Sequence, residues 1–340
     1  MTNQESTSKA PKILVTGAGG PAGYSVIQRL LDTHPTYEIH AADASPLASG
    51  LFLVPLHCRH IVPLGKSPRF LTTVREICRS AAVDLVIPTV DTELLPMAAS
   101  TERFASHNTR VAVSPVSGLR ACEDKVRLTR VLQGLMPTAP TEVWTGQDLP
   151  ADWCHSLVAK PRQGSGGRGV SIIREPAQLR AVPTDGSYLI MEYLPGPEYS
   201  VDVFRTRAGN VIAAVPRERL LVDSGVAIAA RTLHDPELER YAARAVDALE
   251  LEGVANVQFR RDHSGRPTLL EINPRFPGTM PLTIGAGIDM PNLAVADALG
   301  YGVPQEQLGF KEVALVRRWA DQFVDPQALV GRTPDLCAAG

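Results

Sequence analysis

Three side chains with oxygen ligand atoms lie on two segments that the sequence predicts to be neighbouring strands. Segments 254–261 and 267–272 are joined by a short turn-forming stretch, which predicts a β-hairpin. Alternate residues of a strand share a face, so Glu271 and Asn273 point together, and Gln258 can point with them. Mg²⁺ is held by carboxylates, phosphate oxygens and water. The pattern therefore predicts a metal site, in which Glu271 could bridge two ions.

A lysine and a glycine-rich loop follow another predicted strand. Lys160 ends the apolar run 157–160, and the loop 164–169 (GSGGRG) comes next. Phosphoryl transfer depends on positioning and charge neutralisation, which a fixed lysine and a nest of backbone N–H groups can supply. The loop residues predicted to bind phosphate are Gly164, Ser165, Gly166 and Gly167. The loop is not a Walker motif, because no Gly-Lys-Ser/Thr follows the glycines.

The N-terminal part contains a second glycine pattern. Gly17-x-Gly19-x-x-Ala22 follows an apolar run and opens a helical pattern, and Asp43 ends the next predicted strand. This arrangement is typical of dinucleotide binding and leaves open an NAD(P)-dependent oxidoreductase. The alternative interpretation is that the glycines only make a tight strand-to-helix turn.

These segments have to be positioned by more than one lobe, since the chain has 340 residues. Strands alternate with helices over 12–118, which predicts a parallel sheet, whereas hairpin-like turns dominate later. We predict an α/β and α+β protein. Its predicted segments are a disordered leader over 1–11, a Rossmann-like domain over 12–118, a small subdomain over 119–192 and a large subdomain over 193–340.

Composition excludes several classes of protein. The formal charge of −2 gives no basic field for nucleic acid, and there is no run of about 18 apolar residues for a membrane span. Five cysteines occur without any CxxC pair, which argues against a disulfide framework or a zinc site. We therefore expect a soluble, cytoplasmic protein.

Five segments in a fixed order carry a resemblance to a known superfamily. They are Asp124-Lys125, AKPRQGSGGRGV (159–170), MEYLPGPEYSVD (191–202), NVQF (256–259) and LLEINPRFPGT (270–279). Together they resemble the ATP-grasp superfamily, notably the carbamoyl phosphate synthetase large subunit and stand-alone ligases such as the pyrrolysine-biosynthesis ligase. The resemblance covers about residues 12–300. It implies that the Rossmann-like lobe is a pre-ATP-grasp domain, which does not generally bind a dinucleotide.

The resemblance also implies roles for individual residues. Lys125 and Lys160 would contact ATP phosphates beneath the glycine loop. Glu192, Tyr193 and Leu194 would hold adenine, and Glu198 the ribose. Gln258, Glu271 and Asn273 would hold the metal, and Arg275 would stabilise the transferred phosphoryl group. Arg217 and Arg231 lie where related enzymes carry cations facing the carboxylate or phosphate, whereas Arg219 could be a surface residue.

The implied activity is an ADP-forming carboxylate–amine ligase that works through an acyl phosphate. The cofactors would be ATP and two Mg²⁺ ions, for which Mn²⁺ can substitute. The implied substrates are a small carboxylate and an amine, with amino acids favoured and ammonia an alternative acceptor, and family habit is compatible with a homodimer. A non-catalytic nucleotide-binding protein is the remaining alternative.

Overall fold

The computed structural model describes residues 10–148, 156–164 and 167–329. The chain forms two compact units, which we call unit 1 and unit 2. Unit 1 contains the residues up to Val113, Pro291–Tyr301 and those from Ala320 onward, and unit 2 contains Ser114–Met290 and Gly302–Trp319. The division thus precedes the predicted boundary at residue 118, and a segment of the predicted large subdomain joins unit 1. The predicted leader lies outside the described residues, except for residues 10 and 11.

Unit 1 contains the predicted parallel sheet. Its elements are β1 (Lys12–Thr16), α1 (Pro21–Thr33), β2 (Glu38–Asp43), β3 (Arg59–Ile61), α2 (Phe70–Ala81), β4 (Leu85–Ile87), α3 (Asp91–Ala98), α4 (Thr101–Ala105) and β5 (Arg110–Val111). All four strand pairs are parallel, in the order β3-β2-β1-β4-β5. Leu14 and Val86 of the sheet pack with Phe70 and Phe104 of the helices in one apolar core. Burial on both faces explains why these strands are nearly continuous apolar runs.

Unit 2 begins with two helices that are separated by one residue. They are α5 (Val116–Glu123) and α6 (Lys125–Leu132). Asp124 separates them because its backbone is extended and its carboxylate accepts hydrogen bonds from the N–H groups of Val126 and Arg127. An aspartate in this N-cap position starts a new helix rather than continuing the old one. The cap places Lys125 at the first helical position.

Two antiparallel sheets follow in unit 2. The small sheet has the order β6-β9-β7-β8 and the large sheet the order β14-β13-β10-β11-β12-β15. The small-sheet strands are β6 (Thr141–Val143), β7 (Leu157–Pro161), β8 (Ser171–Ile173) and β9 (Tyr188–Glu192). The large-sheet strands are β10 (Glu198–Arg205), β11 (Val211–Asp223), β12 (Val226–Thr232), β13 (Gly253–Arg261), β14 (Pro267–Asn273) and β15 (Ala314–Val316).

The large sheet has one apolar and one polar face. The helix α7 (Pro236–Ala248) packs its buried side chains, including Leu238 and Val246, against Val201, Val257 and other residues of the apolar face. The pairing of β13 with β14 is interrupted by a register shift between Gln258 and Phe259. Two further α-helices are α8 (Met280–Gly285) in unit 2 and α9 (Met290–Leu299), which lies almost entirely in unit 1. In the part of the chain that the structure describes, no helix is long and apolar enough to cross a bilayer.

Candidate active site

The polar face of the large sheet carries the predicted metal ligands. Gln258 on β13 lies directly opposite Glu271 on β14, and Asn256 lies opposite Asn273. Asn273 Nδ2 donates a hydrogen bond to Glu271 Oε1 over 3.3 Å, and Gln258 Nε2 donates to Asn256 Oδ1 over 3.2 Å. The strands therefore bring Gln258, Glu271 and Asn273 together, as their spacing predicted.

This donor set fits a hard divalent cation. It consists of one carboxylate and two amide side chains, and Mg²⁺ prefers such oxygen ligands together with phosphate and water. Glu271 is only partly exposed, with 22% of its side-chain surface accessible, so its charge is poorly hydrated. A cation beside Glu271 would offset that cost.

Two buried lysines approach the same carboxylate from other elements. Lys125 Nζ, at the start of α6, lies 3.7 Å from Glu271 Oε2. Lys160, on β7, directs its Nζ toward the Leu270 carbonyl oxygen at 3.4 Å. Burial lowers the pKa of Lys160 to about 8, an effect that Glu271 opposes and Lys125 reinforces. Glu198 is a second, weaker influence that favours the charged form of Lys160. The two buried ammonium groups make a site that attracts a further anion.

The start of the glycine loop is hydrogen-bonded to Lys125. Lys125 Nζ donates to the Gly164 carbonyl oxygen over 2.7 Å, and Lys125 N donates to the Arg162 carbonyl oxygen over 3.1 Å. Gly167 lines the adjoining cavity. Ser165 and Gly166 lie outside the described residues. The described part of the loop therefore has its base fixed next to the lysines.

The end of β9 provides a separate, more apolar part of the site. Glu192, Tyr193 and Leu194 line the cavity together with Val158 and Leu270. Tyr193 N is already used, because it donates to the Ser156 carbonyl oxygen over 3.1 Å. Apolar walls beside a strand end suit a flat heterocycle, which stacks on side chains and bonds to backbone groups.

Glu198 and two arginines are linked across the polar face. Glu198 Oε1 accepts a hydrogen bond from Arg219 Nη1 over 2.5 Å. The sequence left open that Arg219 is a surface residue, but only 8% of its side-chain surface is accessible and it lines the cavity. The strand period identifies it, since Arg219 lies two residues after Arg217 on β11 and so shares its face.

The other predicted arginines differ in their placement. Arg217 lines the cavity, and its Nη2 lies 2.5 Å from Oδ1 of the fully buried Asp202. Within the described part of the chain, Arg217 Nε has no hydrogen-bond partner. Arg275 also lines the cavity. Arg231 is not among the described residues that line it. Its side chain is 57% accessible and pairs with Glu218, because the register of β12 sets Arg231 opposite that residue.

One cavity of about 520 Å³ is lined by the predicted site residues that the structure describes, except Lys125, Gly164 and Arg231. Its charged lining residues are Lys160, Glu192, Glu198, Arg217, Arg219, Arg260, Glu271 and Arg275. Cations outnumber carboxylates in this set, so the cavity favours an anionic ligand.

The N-terminal glycine pattern has a different environment. Gly19 N donates to Asp43 Oδ2 over 2.8 Å, so the predicted ribose-binding acid is bonded to the turn itself. A Cβ on Gly19 would lie 2.8 Å from Ala48 Cβ, and a Cβ on Gly23 would lie 2.2 Å from the Gly17 carbonyl oxygen. Contacts within unit 1 therefore account for these glycines, which favours the tight-turn interpretation over dinucleotide binding.

Comparison with known families agrees with this division of roles. Residues 13–112 match the model described as "PylC-like, N-terminal domain", and residues 185–321 match "ATP-grasp in the biosynthetic pathway with Ter operon". Most of the residues that line the cavity, from Met191 to Thr279, lie in the segment that matches the ATP-grasp model. The predicted resemblance to the ATP-grasp superfamily and the predicted fold class are thereby confirmed.

Solved structures of other proteins share the fold of this chain at low sequence identity. N5-carboxyaminoimidazole synthetase from Staphylococcus aureus, complexed with ADP, is 14% identical with a TM-score of 0.71, covering 89% of this chain and 81% of that one. Biotin carboxylase from Campylobacter jejuni is 18% identical with a TM-score of 0.67, covering 86% and 72%. The L-amino acid ligase from Bacillus licheniformis is 16% identical with a TM-score of 0.64, covering 86% and 75%.

Proposed function

We propose that this ATP-grasp protein is an ADP-forming ligase that phosphorylates a carboxylate and joins the acyl group to an amine. The observation that carries the proposal is the meeting of Glu271, Asn273 and Gln258 with the buried lysines Lys125 and Lys160 beside one cavity. These groups suit a nucleotide triphosphate and its metal ions. The similarity to an L-amino acid ligase favours amino acids as substrates.

In the first step, a carboxylate oxygen of the substrate attacks the γ-phosphorus of ATP. The bond to the β-phosphate oxygen breaks, which gives an acyl phosphate and ADP. Lys125 and Lys160 would neutralise the phosphates, and Arg275 would contact the transferred group. Gln258, Glu271 and Asn273 would hold two Mg²⁺ ions, or Mn²⁺ in their place, and the ions would neutralise phosphate charge.

In the second step, the amine nitrogen attacks the acyl carbon. The carbon–oxygen bond to phosphate breaks, phosphate leaves, and the nitrogen loses a proton to solvent or to the leaving phosphate. Arg217 is suited to hold a carboxylate, because it is a buried guanidinium whose Nε has no partner among the described residues. Closure of the glycine loop would exclude water and protect the acyl phosphate from hydrolysis.

The nucleotide would place its adenine and ribose at the other end of the cavity. Glu192, Tyr193 and Leu194 would border adenine, and Glu198 would accept from ribose hydroxyls. Arg219 would act through Glu198, since their ion pair fixes that carboxylate. We leave Arg231 out of the reaction because its exposed side chain pairs with Glu218.

The test is ADP release from ATP and Mg²⁺ with pairs of amino acids, together with hydroxylamine trapping of an activated carboxylate. We expect Glu271→Ala to lower turnover by about 10²–10³-fold, because charge stabilisation at the phosphates is lost. Glu237→Ala is the matched control, since Glu237 is exposed on α7 away from the cavity lining. Unchanged turnover in Glu271→Ala would show that the metal assignment is wrong.

Nucleotide binding separates this proposal from the oxidoreductase alternative. Calorimetric titration should show that ADP with Mg²⁺ binds the protein and that NADH does not. Saturable binding of NADH that survives Glu271→Ala would instead favour a dinucleotide site in unit 1. Binding of ADP without ADP release for any substrate pair would favour a non-catalytic nucleotide-binding protein.

A further inference from the structure

Unit 1 contains a compact cluster of three different metal-ligating side chains that the proposed ligase activity does not use. Glu38 and His40 lie two residues apart on β2 and therefore share a face. Cys58 ends a short 3₁₀ turn, Leu56–Cys58, just before β3. Because β3 pairs with β2 in parallel, with Arg59 opposite Ala41, Cys58 comes beside His40.

The ligand atoms of the cluster are close enough to share one ion. His40 Nε2 lies 2.9 Å from Glu38 Oε1, and one ligand atom from each of Glu38, His40 and Cys58 lies within 4.8 Å of the other two. Ligand atoms around a tetrahedral Zn²⁺ ion lie about 2.0–2.3 Å from the metal. Ligand atoms of one ion must therefore lie within a few ångströms of one another, as they do in this cluster. The cluster therefore requires only small side-chain adjustments to surround an ion.

Burial and a neighbouring ring orient the histidine. The His40 side chain is 3% accessible and Cys58 is 1% accessible, whereas Glu38 is 38% accessible and leaves an approach from solvent. On the opposite side of the ring, His40 Nδ1 lies 2.9 Å from His60 Nε2. A metal-bound histidine commonly donates its other ring N–H to a hydrogen-bond acceptor, which fixes the ring and its tautomer. The Nε2 atom of a neutral His60 can be that acceptor.

A cation already approaches this carboxylate. Lys12 Nζ, on β1, lies 2.8 Å from Glu38 Oε1, and the Lys12 side chain is 20% accessible. The location therefore accommodates positive charge next to Glu38. A bound ion would take Oε1, and the ammonium of Lys12 could move to the second carboxylate oxygen.

We propose that Glu38, His40 and Cys58 form a site for a zinc-class divalent ion in unit 1. Mixed oxygen, nitrogen and sulfur ligands select such an ion over Mg²⁺, and three protein ligands leave a fourth position for water. On binding, the S–H bond of Cys58 breaks, its proton passes to solvent and a sulfur–metal bond forms, without any change in oxidation state. The ion would join β2 to the segment before β3 and stabilise unit 1.

The test is a titration of the metal-free, full-length protein with Co²⁺, followed by absorption spectroscopy. A thiolate bound to Co²⁺ gives a ligand-to-metal charge-transfer band that an oxygen-only magnesium site cannot give. We expect one equivalent of Co²⁺ to saturate this band and Zn²⁺ to abolish it by displacement. Absence of the band in the wild-type protein would overturn the proposal.

Variants assign the band to the cluster. Cys58→Ser should remove it, whereas Cys78→Ser should keep it, because Cys78 is an equally buried cysteine on α2 of the same unit. Glu38→Gln changes the most accessible ligand and so preserves folding, and it should weaken Co²⁺ binding at least about tenfold. A band that survives Cys58→Ser, or an unchanged affinity in Glu38→Gln, would show that this cluster is only a hydrogen-bonded network.

Discussion

Each unit has a glycine-rich segment after a strand, and the two segments differ in what surrounds their glycines. In unit 1, a Cβ on Gly23 would lie 2.2 Å from the Gly17 carbonyl oxygen, so the chain itself fills the space. In unit 2, a Cβ on Gly164 or Gly167 would meet no described atom within 4 Å. Similar sequence patterns therefore serve tight packing in one unit and an open loop in the other.

The charges beside the two segments also differ. Glu93 lies next to the turn of unit 1, hydrogen-bonded to Thr16, and burial raises its pKa to about 7, with smaller contributions from Asp43 and Asp91. Lys125 and Lys160 accompany the loop of unit 2. Acidic groups disfavour a bound phosphate and ammonium groups favour it. A glycine-rich segment therefore indicates phosphate binding only when the charges beside it are also favourable.

Among the substitutions that test this comparison, Gly23→Ala is expected to change the stability of unit 1 most. The added methyl group would be forced against a backbone oxygen, and such overpacking should destabilise unit 1 by about 3 kcal/mol. Thermal unfolding followed by circular dichroism measures the change. Gly20→Ala is the matched control, because its Cβ would lie 3.4 Å from the same oxygen and its φ is −75°. Equal stability of the two variants would contradict the packing role.

Glu93→Gln should change the free energy of unfolding by a smaller amount, and the change should depend on pH. Glu93 has a raised pKa, so between about pH 4.5 and 7 the folded protein holds more protons than the unfolded chain, and its stability falls as pH rises. The glutamine variant lacks this titration but keeps an oxygen that can accept from Thr16. Its stability relative to wild type should therefore increase by roughly 2 kcal/mol between about pH 5 and pH 8.

Denaturant unfolding at several pH values measures that difference. Glu102→Gln is the control, since Glu102 is exposed on α4 of the same unit. A constant stability difference across the range would mean that Glu93 titrates as an ordinary surface carboxylate.

The smallest effect on folding is expected from Gly167→Ala. Its φ of +70° makes alanine unfavourable, but the surrounding space is open, so unfolding should change by no more than about 1 kcal/mol. If the loop covers phosphates, KM for ATP should nevertheless rise several-fold in the ADP-release assay. Gly265→Ala is matched to it, with a φ of +81° and open surroundings in the β13–β14 turn, and should leave KM unchanged. Equal KM values for ATP in the two variants would show that the loop takes no part in nucleotide binding.

Much of the site could be predicted because strand alternation is a local property. The two-residue spacing of Glu271 and Asn273 placed both on one face without knowledge of any distant contact. The same rule identifies Arg219 from Arg217 once both residues are known to lie on β11.

Other features depend on pairing that the sequence does not specify. The position of Arg231 follows from the register of β12 against β11, which includes two irregularities near Arg219 and Leu221. The cluster of Glu38, His40 and Cys58 depends on a parallel pairing between segments that are distant in sequence. Single cysteines without a CxxC spacing carry no local signal of this kind.

The irregularity in β14 has a consequence for how one strand serves two environments. Residues two apart normally share a face, yet Leu269 lies in the apolar core and Glu271 lines the cavity. The difference arises because Leu269 pairs with Phe259 and Glu271 with the adjacent Gln258, so that Leu270 is an extra residue. This one extra residue exchanges the faces to which the following residues of β14 point. The carbonyl oxygen of Leu270 faces the ammonium group of Lys160. Removing Leu270 would keep Glu271 opposite Gln258 but would take away that acceptor.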